Sequence, residues 1–269
     1  MLAQTITAPA ISPVVIKSSV STPPSLYRNL AKLQFDYALP KRFSSIDAVA
    51  SSDLNQEHVV AEINRNAVST DLIPAVLFIG SGSIFSIAPE MLKHCHKHAI
   101  LLQIDTNSFV TDYAKYLAWR FTFENAHELE TGNAFQSHPL SVEFTQSQRL
   151  DAARTIQYER QSLGRFFYAA NPDRLAECKR VAKRSHLVSL NFDIRDDYIF
   201  SRVADELNQS GVQIVGAILS NIAQHTCGRL DGLISLSPIV HPEAPIIFSH
   251  SADFSAPTCH WQRGLAGLV

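Results

Sequence analysis

Ile73-Pro74-Ala75-Val76-Leu77-Phe78-Ile79 runs directly into Gly80-Ser81-Gly82-Ser83, and this stretch decides how the chain folds. An apolar run with no polar alternation predicts a strand covered on both faces, as in parallel sheets. A helix-like segment follows from about Ile84 to Lys97. A second apolar run, Ala99-Ile100-Leu101-Leu102-Gln103-Ile104, then ends in Asp105. Three more strands are expected at Leu187 to Ile194, Gln213 to Leu219 and Pro245 to Ser249. Between the first two of these, Asp196 to Gln209 reads as a helix closed by Gly211. Strands alternating with helices in this way predict an α/β fold, doubly wound around a mostly parallel sheet.

Outward from this core the pattern changes. Pro9, Pro13, Pro23 and Pro24 predict an extended arm over residues 1–26. Ser25 is placed to cap a helix carrying Leu26, Leu30 and Leu33, and Asp53 to start another through Val59, Val60 and Ile63. About 80 residues separate Asp105 from the third strand. They read as helices over Thr111 to Ala126, Thr145 to Leu163 and Pro172 to Val181, with Phe166-Phe167-Tyr168 as an extra strand. The expected organisation is therefore an N-terminal arm with helices over residues 1–71 and an α/β domain over 72–269. That domain carries a helical insertion, or cap, at about 111–185 beside the carboxyl edge of the sheet.

Composition narrows the function. The 269 residues carry 23 Lys+Arg against 25 Asp+Glu, a formal net charge of -2, so no nucleic-acid partner is evident. With 46% hydrophobic and 18% charged residues the chain can bury a sizeable core. No apolar run has the length of a membrane helix, so no membrane association is expected. Cys95, Cys178, Cys227 and Cys259 form no C-x-x-C pair, and no signal-peptide pattern follows Met1. A cytoplasmic location is the expectation, with non-classical export left open.

The Gly80-Ser81-Gly82-Ser83 turn leaves a buried strand and opens a helix, where backbone N–H groups and the helix dipole meet a polar or anionic ligand. Its glycines allow a sharp bend and a close approach by a ligand, or simply a tight strand-to-helix connection. Asp105 follows Gly80 by 25 residues, near the spacing at which an acid accepts hydrogen bonds from a ribose diol. The alternative is an acid capping the next helix. Phe85 occupies the third-glycine position of the G-x-G-x-x-G fingerprint, which ranks a nicotinamide-dependent oxidoreductase last among the functional classes.

Val76-Leu77-Phe78-Ile79-Gly80-Ser81-Gly82 with Asp105, then Phe192-Asp193-Ile194, then Leu219-Ser220-Asn221, resembles the ordered motifs of class I S-adenosylmethionine-dependent methyltransferases. The resemblance implies a Rossmann-like fold and S-adenosylmethionine as cofactor. It places Gly80, Ser81 and Gly82 under the methionine part, Asp105 on the ribose, Asp193 and Ile194 at the adenine, and Ser220 and Asn221 facing the transferred group and the substrate. The Phe-x-Gly-Ser-Gly form is similar to that of nicotianamine synthases, which implies transfer of either a methyl or an aminocarboxypropyl group. Phe78 and Ile84 stand where the family has an acid and a glycine. They keep open the alternative of a non-catalytic interaction protein on the same fold.

Asn221 can orient a substrate amine or hydroxyl, because a carboxamide both donates and accepts. His225, four residues on, is a candidate general base if it faces the cleft. His94-Cys95-His96-Lys97-His98 invites a metal, but no third ligand is evident and no metal is expected. Asp196-Asp197 read as helix caps. The chain has neither a G-x-S-x-G elbow nor a phosphate-binding Walker loop. The acceptor, small molecule or protein, and the oligomeric state are left unassigned.

Overall fold

The computed structural model describes residues 24–37, 54–79, 84–121, 146–219, 231–250 and 258–265. Among them, eight α-helices surround a six-stranded sheet. In chain order the elements are α1 (Pro24–Tyr37), α2 (Gln56–Asn66), β1 (Ile73–Ile79), α3 (Ile84–Met91), β2 (Ala99–Ile104), α4 (Ser108–Arg120), α5 (Gln146–Leu163), α6 (Pro172–Arg184), β3 (Ser185–Leu190), α7 (Asp197–Gln209), β4 (Val212–Leu219), α8 (Asp231–Leu236), β5 (Pro245–His250) and β6 (Thr258–Arg263). The sheet order is β3-β2-β1-β4-β5-β6; all neighbours are parallel except β5 and β6.

The apolar runs become the central strands because each feeds two cores. In β1, Val76 and Phe78 point into one cluster and Ala75, Leu77 and Ile79 into the other. Right-handed crossovers then sort the helices. The chain steps one way from β1 to β2 to β3, which lays α3, α4, α5 and α6 on the first face. It returns past β1 to β4 and β5, which lays α7 and α8 on the second. The N-terminal helices divide between these layers. Leu26, Leu30 and Leu33 of α1 enter the second core, whereas Val59, Val60 and Ile63 of α2 enter the first.

One residue of β4 is surplus. Ala75 pairs with Ile214 and Val76 with Gly216, so Val215 bulges out of the ladder. Residues facing the second core fall at Val212 and Ile214 before the bulge and at Ala217 and Leu219 after it. Gly216 lies under α3, where an added Cβ would meet Met91 Sδ at 2.6 Å.

Several expected boundaries shift. Phe166-Phe167-Tyr168 is not a strand. Gly164–Phe166 forms a 3-10 turn, and Phe167 and Tyr168 are buried beneath it among the aromatic rings of the first core. The third strand ends at Leu190, not Ile194, because its neighbour β2 ends at the paired Ile104 and the chain turns through Asp196 N–H to Asp193 O. The helix after the glycine loop stops at Met91, two residues past an internal proline, Pro89, that removes a helical donor. Helix α2 starts after Asn55, which is held at φ 63°, instead of at Asp53. Helix α1 starts at Pro24, which puts Ser25 in its first turn rather than at the cap. The helices of 111–185 lie in the layer over the first face: Tyr113, Leu117, Ile156, Leu163, Leu175 and Val181 all bury in its core. Strand β6 was not expected.

Candidate functional site

Three strands deliver their carboxyl ends together. Ile79 of β1 pairs with Ile104 of β2 on one side and with Leu219 of β4 on the other. Between β1 and β4 the order of connection reverses, and such a switch point opens a crevice at the carboxyl edge of a parallel sheet. Gly80, Ser81 and Gly82 follow β1, and Ser220, Asn221 and His225 follow β4. These six expected site residues lie outside the described residues, as does Cys227. Asp105, Asp193 and Ile194 are described.

Asp105 leaves β2 in a fixed turn. Its N–H donates to Leu190 O at 3.1 Å. Its carbonyl accepts from Asn191 Nδ2 at 2.8 Å. Its carboxylate Oδ1 accepts from Asn107 N–H at 2.6 Å, an Asx turn that stops one residue short of α4. No described residue donates to Oδ2. Burial pushes the Asp105 carboxyl up to about 7, against the lowering effect of the Asn107 N–H. The side chain is thus a half-buried carboxyl with an unused acceptor, at the end of β2 and one strand from the switch point.

Asp193 is differently placed. Arg195 clamps it, with Nε at 2.9 Å from Oδ1 and 3.1 Å from Oδ2, and the Arg195 N–H also donates to Oδ1 at 2.9 Å. The Arg195 hydrogen bond holds the Asp193 carboxyl below the usual carboxylate range. Ile194 turns inward, 7% exposed, into the second core. There Gly232 of α8 packs so closely that an added Cβ would sit 2.2 Å from Ile194 O. Of the three described candidates, then, Asp105 alone offers an uncommitted polar group. Asp193 is engaged by its own loop, and Ile194 serves the packing of α8. Asp196 caps α7 through Ile199 N–H at 3.1 Å, as expected, while Asp197 accepts from Ser235 Oγ.

Two residues that frame the edge were not foreseen. Asn191, 6% exposed, ties β3 to Asp105 through its side chain, and its N–H donates to Gln34 Oε1 at 2.8 Å. Gln34 thereby brings the end of α1 to the carboxyl edge. Gln103, fully buried in β2, accepts from Ser189 Oγ at 3.0 Å and reaches Val110 O at 3.5 Å, which fixes the start of α4 beside Asp105. A polar residue inside an apolar run was the available signal for both.

Phe78, Ile84 and Phe85 are buried in the first core, where Phe85 meets Phe121 at 4.7 Å between ring centroids. No group of three metal-ligating side chains occurs among the described residues. Cys95, Cys178 and Cys259 are buried and form no disulfide. No described helix is long and apolar enough to cross a membrane. No protein-family model matches the chain, and no curated protein matches its sequence.

Proposed function

We propose that the chain is an S-adenosylmethionine-dependent transferase with a Rossmann-like domain, moving a methyl or aminocarboxypropyl group to an acceptor yet to be identified. The observation that carries this reading is Asp105: a carboxyl with a free acceptor oxygen, emerging from β2 beside the end of β1, one strand away from the point where the sheet order reverses. A ribose diol donates two hydrogen bonds, and Asp105 has acceptor capacity for them. The arrangement fits the ribose end of such a cofactor. It fits the adenine end less well, because Asp193 is occupied by Arg195.

When bound, the sulfonium supplies an electrophilic carbon. The chain's own contribution is to hold that carbon in line with the acceptor, an effect of proximity that needs no strong acid or base. Gly80, Ser81, Gly82 and Ser220 are assigned to the cofactor by sequence, and Asn221 and His225 to the acceptor. Asp105 binds a diol best as the carboxylate. Since its carboxyl sits near 7 without ligand, binding expels a proton at lower pH.

Calorimetric titration with S-adenosylmethionine and its demethylated product tests the proposal. Binding is expected to weaken by up to about tenfold per pH unit below 7 and to be lost in Asp105→Ala. No heat at millimolar ligand, or heat unchanged in Asp105→Ala, would overturn it. That result would favour the second reading, a non-catalytic interaction protein, to which the Arg195 clamp on Asp193 and the bulky Phe78 and Ile84 already lend weight.

A further inference from the structure

An open cavity of about 540 Å³ lies at the opposite, amino edge of the sheet. Its floor is the start of β1 and β4, where Pro74 and Gln213 are register partners. The turn after α3 forms one wall, with His94, Cys95, His96 and Lys97. His241 and Pro242 stand on another, and Ser69, Thr70 and Asp71 complete it. The volume suits a small molecule.

Several side-chain donors in this lining have protons left over. Lys97 spends one of its three protons on the carbonyl of Asp71. Gln213 uses its oxygen to accept from Thr70 Oγ1 at 2.6 Å, and its NH2 group has no acceptor among the described residues. His241 Nδ1 accepts from Glu243 N–H at 3.1 Å, so the neutral ring carries its proton on Nε2. His94 and His96 are exposed, with no hydrogen bond among the described residues. The one carboxylate lining the cavity is that of Asp71.

Neither a soft metal nor a cation suits this set. Cys95 donates to Val68 O at 3.6 Å, and burial pushes its thiol up, away from the thiolate a metal needs. The described residues group no three metal ligands. The negative end of α3, which would oppose an anion, is met by Arg184, whose guanidinium donates to Leu92 O at 3.2 Å.

We propose that this cavity is a second ligand site, for a small oxyanion, carboxylate or phosphate, held by Lys97, His241 Nε2–H and the Gln213 carboxamide. It lies a full strand length, about 20 Å, from the carboxyl edge, and does not depend on what binds there.

The test is titration of the full chain with inorganic phosphate and, separately, citrate. Ionic strength is held constant with chloride, and imidazole and amide NMR signals are followed. Saturable shifts at His94, His96 and His241 are expected with at least one probe, at a dissociation constant of about 1 mM or tighter. Phosphate alone binding identifies a phosphate site, and citrate alone a carboxylate site. Lys97→Gln and Gln213→Glu are each expected to weaken binding about tenfold, the second by setting a carboxylate against the anion. No saturation by either probe overturns the proposal, as does undiminished binding in both variants. Unchanged amide spectra away from the cavity certify that the variants are folded.

Discussion

The two faces of the sheet are held together by different chemistry. On the second face α1, α7 and α8 bury almost nothing but aliphatic and phenylalanine side chains, and their polar contacts stay toward the rim, as where Asn29 reaches Glu206. The first face carries charge inside. Arg174, 7% exposed, binds Glu90 at 2.6 Å, donates from Nε to Phe166 O at 3.2 Å, and reaches Ser86 O and Glu177 as well. Asn64 of α2 takes the other oxygen of Glu90, and Glu159 is buried in the same layer. One Arg thus binds α6 to α3 and to the turn before it. The second face depends on volume, so its residues should be interchangeable at equal size. The first depends on partners, so its residues should fail singly and survive only in matched sets.

The sharpest way to break that contrast is Arg174→Ala. It leaves Glu90 buried without its cation, and a loss of about 3–5 kcal/mol is expected by urea unfolding. Replacing Arg174 and Glu90 together by Met and Leu should recover most of that loss, and failure to recover would mean that the pair does more than compensate itself. On the other face Leu30→Ala removes a fully buried side chain and should cost about 2–4 kcal/mol with no partner to rescue it.

Asp105 belongs to neither face, and its effect has the opposite sign. Unfolded, its carboxyl ionises near 4; folded, it holds its proton to about 7. The folded state therefore binds more protons between those values, so stability is full below about pH 4 and falls as pH rises to 7. Asp105→Asn keeps an acceptor for the Asn107 N–H and should raise stability at pH 8 by on the order of 2 kcal/mol, with little change at pH 4. Thermal melts at the two pH values check it. The smallest effect is expected from Leu207→Met on the second face, below about 1.5 kcal/mol by the same melts. A larger loss there would show that this face too is shape-specific.

How much of this was legible follows from which signals are local. The central strands were readable because an apolar run such as Ala75 to Ile79 has only one way to be covered on both sides. The amphipathic spacing of Leu26, Leu30 and Leu33 gave α1 in the same way. Strand β6 escaped because it is a short antiparallel edge in which only Cys259 and Trp261 turn to the first core between Thr258, His260 and Gln262. The aromatic run at 166–168 misled because strands and helix-packed cores draw on the same residues. Arg174 could not be foreseen, since a cation in a first helical turn reads as solvent-facing until α3 is laid against it. At the candidate site Asp105 was legible as a strand-end acid. Its perturbed carboxyl was not, because burial there is set by chain segments far apart in sequence. Asp193 was legible as an acid but not as the partner of Arg195, two residues away.

Val215, the unpaired residue of β4, has a reach beyond its own position. A strand alternates sides with every step, so one surplus residue switches the positions that enter the second core from even numbers, Val212 and Ile214, to odd ones, Ala217 and Leu219. With it removed, Ile214 would run straight into Gly216, and Ala217, Ile218 and Leu219 would keep the layers they enter now, because they alternate in step with Leu77, Phe78 and Ile79. A single deletion at 215 would therefore leave β1 and β4 the same length and in phase as far as Leu219, at the cost of one buried valine, whereas a deletion at any later position of β4 would reverse the faces.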